Sequence, residues 1–179
     1  MNNFYDCYEY SLGSRERFDV SLLESAIPYC KNVTKTDAST DKQGVDYIAT
    51  LKDGSIVTID GKTRKAGARK YWRGEPELAI EAYSVVEKKI VGWLFKDSAV
   101  HPDYVLYTFD RTDSDKYYLV PYILLRKAAL KYWKKWAATY GMKNQPNETH
   151  GGYTSSALFV PASTLLSAVS EQMAGVVKG

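Results

Sequence analysis

Asp60 and Lys62 stand two residues apart at the end of one apolar run, and Asp46 stands near the start of the run before it. Paired carboxylates hold a hard divalent ion such as magnesium, which prefers oxygen ligands. Such an ion polarises a phosphodiester and helps to activate water, and a nearby ammonium positions the nucleophile or stabilises the charge that develops. Two carboxylates and a lysine are useful in this way only if the fold brings them to one place.

The local sequence supplies the means. Residues 44–64 read as a hairpin, with an apolar run from Val45 to Leu51, a Lys52-Asp53-Gly54 turn and a second run from Ile56 to Ile59. Side chains alternate across a strand, so Asp60 and Lys62 share a face. A turn near Asp53 brings Asp46 roughly opposite Asp60. An acidic and basic pair on a solvated strand face, with a structural Asp46, is the other reading of the same residues.

Gly44-Val45-Asp46 followed by Asp60-Gly61-Lys62 resembles the PD-(D/E)xK nuclease superfamily, most closely those members whose second motif reads Asp-x-Lys, such as the nuclease domains related to RecB. Two departures stand out: Val45 replaces the proline of the signature, and the second acid is aspartate rather than the commoner glutamate. The resemblance implies a restriction-endonuclease-like core, an α/β (α+β) fold whose central mixed β-sheet is flanked by helices, with an N-terminal helix before the site-bearing hairpin. It also implies a magnesium-dependent endonuclease hydrolysing DNA phosphodiester bonds, with manganese as the alternative ion. Asp46, Asp60 and the Gly61 carbonyl would bind the metal, and Lys62 would act on the water or the transition state. Glu81 or Glu24 would complete the site, with Glu16 a weaker candidate on the same helix as Glu24. The alternative is a catalytically inactive protein of this fold that binds nucleic acid or a protein partner.

Charge distribution bears on the DNA expectation more than net charge does, since the whole chain carries only +3. Lys62, Arg64, Lys65, Arg69, Lys70 and Arg73 fall between positions 62 and 73 without an acid among them. Beside a metal site such a run would neutralise phosphates, so Arg64, Lys65, Arg69, Lys70 and Arg73 are the candidate DNA contacts; a solvated basic loop is the other reading. Cutting two strands with one site per chain favours a homodimer on geometric grounds.

The chain has 179 residues, 45% hydrophobic and 25% charged, which suits one soluble domain over 1–179. Cys7 and Cys30 form no CxxC pair and only two histidines, His101 and His150, are present, so zinc is not expected. Met1–Asp6 lacks a basic region followed by an apolar stretch, and no apolar run approaches a membrane span, so the expected setting is cytoplasmic, without membrane contact. GxGxxG, P-loop and GxSxG motifs are all absent.

Along the chain, Asp19 is expected to cap a helix that Pro28 ends. Residues 31–43 read as a loop, Glu77 to Val85 as a strand, and 88–95 as a short helix or strand. Glu81 is the odd residue in its apolar stretch, facing either the site or, on an edge strand, solvent. Tyr104–Phe109 and Tyr117–Pro121 form a second hairpin. The spacing of Leu125, Ala129, Trp133, Ala137 and Tyr140 predicts a helix over 122–140. Residues 142–152 read as a loop, Ser155–Val160 as a last strand, and the rest as a terminal helix to about Val177.

Overall fold

The computed structural model describes residues 14–37, 44–64, 66–97, 100–110, 113–147 and 152–176. Among them the chain runs through helix α1 (Ser14–Ala26), strands β1 (Cys30–Lys35), β2 (Tyr47–Leu51) and β3 (Ile56–Arg64), and a 3-10 turn (Ala68–Tyr71). Strands β4 (Glu77–Val85), β5 (Ile90–Val91), β6 (Tyr104–Phe109) and β7 (Tyr118–Pro121) follow, then helix α2 (Tyr122–Tyr140), strands β8 (Lys143–Asn147) and β9 (Tyr153–Pro161), and helix α3 (Ala162–Val176). The fold is mixed α+β, with a mixed sheet flanked by three helices among the described residues. No described helix is long and apolar enough to cross a membrane.

The hairpin over 44–64 forms β2 and β3, in a register that pairs Tyr47 with Ile59 and Thr50 with Ile56. Gly54 takes φ +86 at its turn, a conformation that costs a residue without Cβ little. Asp53 closes the turn by accepting from the Ser55 N–H at 2.9 Å and hydroxyl at 2.7 Å. Strand β3 does not stop at Ile59. It runs on to Arg64 because β6 lies parallel to it, pairing Ile59 with Tyr104 and Arg64 with Phe109. Asp60, Lys62 and Arg64 therefore share one face of a strand held from both ends.

The expected single central sheet is instead two sheets. The first has the order β1-β2-β3-β6-β7, and the second, β5-β4-β9-β8, is antiparallel throughout. Two segments expected as loops supply strands. Residues 30–35 form β1, antiparallel to β2, and residues 143–147 form β8, antiparallel to β9. Both were masked in the sequence by polarity: β1 buries only Val33, and β8 contains Pro146. Polar, charged and proline-bearing segments of this kind belong on sheet edges, where one side of the ladder is unpaired. In 88–95 only Ile90 and Val91 are extended.

Helix α1 begins at Ser14, so Asp19 is not its cap. Asp19 is buried and accepts from the Tyr47 hydroxyl at 2.9 Å. A tertiary partner, rather than the helix end, engages its Oδ2. On this side Leu23, Ile27, Val33, Tyr47, Ala49, Ile59 and Leu106 form a small core between α1 and the first sheet.

The larger core joins Val105, Tyr107 and Phe109 of β6 to Leu78 and Ile80 of β4, Leu158 and Val160 of β9, and the buried faces of α2 and α3. Leu125 and Ala129 of the expected α2 stripe are fully buried, while Trp133, Ala137 and Tyr140 pack at its margin. Tyr107 crosses from one sheet to the other, its hydroxyl donating to the Ala79 carbonyl at 3.2 Å. That bond fixes β4 over the face of β3 that carries Asp60, Lys62 and Arg64.

Candidate functional site: a carboxylate and lysine cluster between two sheets

Continuing the β2–β3 register by one residue past the Tyr47–Ile59 pair sets Asp46 beside Asp60. The Asp46 N–H donates to the Ile59 carbonyl at 2.9 Å, and its Oδ2 accepts from the Gly61 N–H at 2.6 Å. Gly61 eases this approach, because a Cβ there would lie a tight 3.2 Å from Asp46 Oδ2 and 3.3 Å from the Tyr47 ring. Within a strand, the N–H and C=O of one residue point to the same edge. The Gly61 carbonyl thus faces the edge, beyond the end of β2, where Asp46 stands.

Asp60 is buried, with its Oδ1 2.7 Å from Lys62 Nζ; the lysine side chain remains 31% exposed and the aspartate only 4%. Burial pulls the Lys62 pKa down, but Asp60, then Asp46 and Glu81, outweigh it and hold the lysine above its ordinary value. At neutral pH Lys62 is an ammonium. It can donate hydrogen bonds and charge, but it has no lone pair with which to take a proton.

Glu81 arrives from the second sheet. Strand β4 lies between β5 and β9, so it is not an edge strand, and Glu81 is half-buried. Its Oε2 accepts from the Ser84 hydroxyl at 2.7 Å. Glu77, Ala79 and Glu81 alternate onto the same face of β4, and this face looks across at Asp60, Lys62 and Arg64. Two aromatic groups wall the cluster. Trp93 places its ring 5.0 Å from Lys62 Nζ, and Tyr107 is buried against Asp60, burial first and the carboxylate second raising its pKa.

The structure thus brings together Asp46, Asp60, Gly61, Lys62 and Glu81. Glu24 is elsewhere, exposed on α1, with its Oε1 accepting from the Val33 N–H at 3.3 Å. Burial, then the charge of Glu24, pushes the Cys30 thiol up. The acid that α1 directs toward β2 and β3 is Asp19, through Tyr47. Lys65, Cys7 and His150 lie outside the described residues, as does the side chain of Glu16. His101 stacks on Tyr122 at 5.0 Å.

The basic run divides. Arg64 lies between the sheets, its guanidinium 4.3 Å from the Phe159 ring. Burial lowers its pKa, against the pull of Glu77 and Asp113. Arg73 binds buried Glu77 at 2.7 Å and donates to the Tyr140 carbonyl at 3.1 Å. Among the described residues of the run, only Arg69 and Lys70, on the 3-10 turn, are exposed and outside such a network, beside Tyr71 at 67% exposure. Sequence reading could not see this division, because Glu77 follows the run instead of interrupting it.

Among the described residues no group of three or more His, Cys, Asp or Glu side chains is arranged to hold a metal ion. Asp46, Asp60 and the Gly61 carbonyl make a different donor set, two carboxylates and a main-chain oxygen. Magnesium fits that set, since it commonly takes one or two carboxylates and keeps several waters. Compared with known proteins, the chain matches no family model, no curated protein and no solved structure.

Proposed function

We propose that the protein is a metal-dependent nuclease that hydrolyses DNA phosphodiester bonds at the Asp46–Asp60–Lys62 cluster, on a restriction-endonuclease-like core. The observation that carries this reading is Asp46 hydrogen-bonded to the Gly61 N–H, next to Asp60 in the chain, with Lys62 ion-paired to Asp60. The order of elements, a helix before the site-bearing hairpin and a mixed sheet around it, supports the core assignment.

Asp46, Asp60 and the Gly61 carbonyl would hold magnesium or manganese. When bound, such an ion supplies charge stabilisation at a phosphoryl oxygen and eases the deprotonation of water. Lys62, fixed as the ammonium, donates to the oxygen on which negative charge gathers. Glu81, oriented by Ser84, is the carboxylate available to align the attacking water or accept its proton. Its place on the second sheet puts it across from Asp60 and Lys62.

Arg69 and Lys70 are the described residues suited to the DNA backbone, because their charges are exposed on a turn. Arg73 is suited to a structural role. Arg73→Ala leaves a buried Glu77 acceptor without its main donor and is expected to cost about 1–2 kcal/mol of stability, read as a lower urea midpoint. Arg69→Ala with Lys70→Ala is expected to leave that midpoint unchanged, while weakening DNA binding and reducing the salt slope by about 2. Equal effects of the two changes on stability would remove the distinction.

The direct test is cleavage of labelled duplex, single-stranded and branched DNA with magnesium, manganese or EDTA. Cutting that requires the metal and stops with EDTA is the expected result. A second reading, an inactive protein of this fold that binds nucleic acid, is favoured by the engagement of Asp60 with Lys62. It predicts no cutting, and binding that survives EDTA with a steep salt slope.

A further inference from the structure

We infer that Trp93 is a positioning residue for Lys62: its indole face lies over the ammonium, 5.0 Å from Nζ to the ring centroid, and sets where that charge stands. The inference rests on the nuclease reading for its consequence, but its geometry is independent of it. A lysine ammonium is a compact charge on a flexible four-carbon stem. Asp60 restrains it through one oxygen, Oδ1 at 2.7 Å. A single hydrogen bond allows the head to swing about the carboxylate oxygen. The electron-rich face of an indole closes off a second direction.

Trp93 is itself held firmly. The Gly92 N–H donates to the Ala82 carbonyl at 2.8 Å, and the Gly92 carbonyl accepts from Phe95 and Lys96, each at 3.0 Å. The Tyr122 hydroxyl donates to the Leu94 carbonyl at 3.4 Å, and the Tyr122 ring lies 6.4 Å from the Trp93 ring. The turn that carries Trp93 also sits directly on the backbone of Glu81, since a Cβ on Gly92 would be only 2.0 Å from the Glu81 carbonyl oxygen. Trp93 and Glu81 thus reach Lys62 as one unit from the second sheet. Asp60 and Lys62 come from the first. The lysine is placed by both sheets at once, and Trp93 acts through its contact with the lysine.

A test uses the full chain with fluorinated tryptophans placed at position 93 alone. Added fluorines drain the ring face of negative potential with little change of shape. Two readouts are followed across the series, with Trp93→Phe and Trp93→Met as companions. One is the lysine ammonium signal in nitrogen-edited NMR, assigned to Lys62 by its absence in Lys62→Met. The other is steady-state cleavage.

A stepwise loss of the Lys62 signal is expected as fluorines are added. Alongside it, kcat should fall by roughly tenfold or more, KM staying within about twofold. Trp93→Phe should retain the signal and Trp93→Met, which fills space without a π face, should lose it. Trp93→Met in a Lys62→Met background should cause no further loss of kcat. A Lys62 signal that persists unchanged through the series, in chains with the wild-type unfolding midpoint, overturns the inference. The fluorinated series decides the matter even if Trp93→Met fails to fold. Wild type that cuts no DNA overturns the nuclease reading instead, and the NMR result still decides the role of Trp93.

Discussion

Asp60→Asn is expected to reduce metal-dependent cleavage by about a thousandfold or more. Asparagine keeps the shape of the side chain, so the change isolates the charge. Asp60 is buried at 3% exposure and holds Lys62 at 2.7 Å. Replacing it removes one of two carboxylate donors and the charge that pairs with the lysine in the same step. The cost in stability is expected to be small beside the cost in rate. Breaking a fully buried pair costs about 3–5 kcal/mol, but Lys62 is 31% exposed and can turn to water, so about 1–2 kcal/mol is the expected loss. Cleavage rate, magnesium binding by calorimetry and urea unfolding measure the three quantities. Wild-type cleavage by a purified, folded Asp60→Asn chain would falsify the assignment of this cluster as the site.

Gly92→Ala carries the largest expected effect on stability. An alanine Cβ would lie 2.0 Å from the Glu81 oxygen, 2.5 Å from the Glu81 carbonyl carbon and 3.1 Å from the Ala82 carbonyl carbon. These are backbone atoms, so no side chain can rotate out of the way. Moving them means disturbing β4 where it pairs with β9, at the irregular step between Glu81 and Tyr83. A loss of about 3 kcal/mol or more follows, which lowers Tm by roughly 6–12 °C in a domain of this size. The same shift would pull Glu81 and Trp93 away from Lys62, so cleavage should fall beyond what the loss of folded protein explains. An unfolding midpoint equal to wild type would mean the turn can retreat from β4 at little cost.

The hairpin and the convergence of Asp46, Asp60 and Lys62 were legible because both follow from local rules. Period-two alternation fixes which residues share a face, and the turn residues fix the register. Glu81 was legible as the charged residue in an apolar strand. The two-sheet division was not. β4 pairs with β9, far along the chain, and nothing local marks that preference. β1 and β8 were hidden because edge strands need few apolar residues.

Charge runs misled in a specific way. Arg64 and Arg73 look identical to Arg69 and Lys70 in sequence, and what separates them is tertiary: Arg64 is enclosed between the sheets against Phe159, and Arg73 is paired with buried Glu77. Glu24 and Asp19 differ likewise: helix position suggested a cap for one and a site role for the other, whereas tertiary contacts engage both. Trp93 and Gly92 could not be found from sequence at all, because their roles arise from the approach of a turn to a strand in another sheet.

The order in which the strands enter the two sheets has a consequence for how the chain must fold. β4 and β5 are inserted between β3 and its parallel partner β6, and β4 then waits for β9, the last strand. No single cut of the chain separates one sheet from the other. During synthesis the second sheet stays open, with the β4 edge unpaired, until residues 153–161 emerge. Contacts this distant in sequence fold slowly, on a scale of about milliseconds to seconds, so the β4–β9 pairing is the late step in assembling the two sheets.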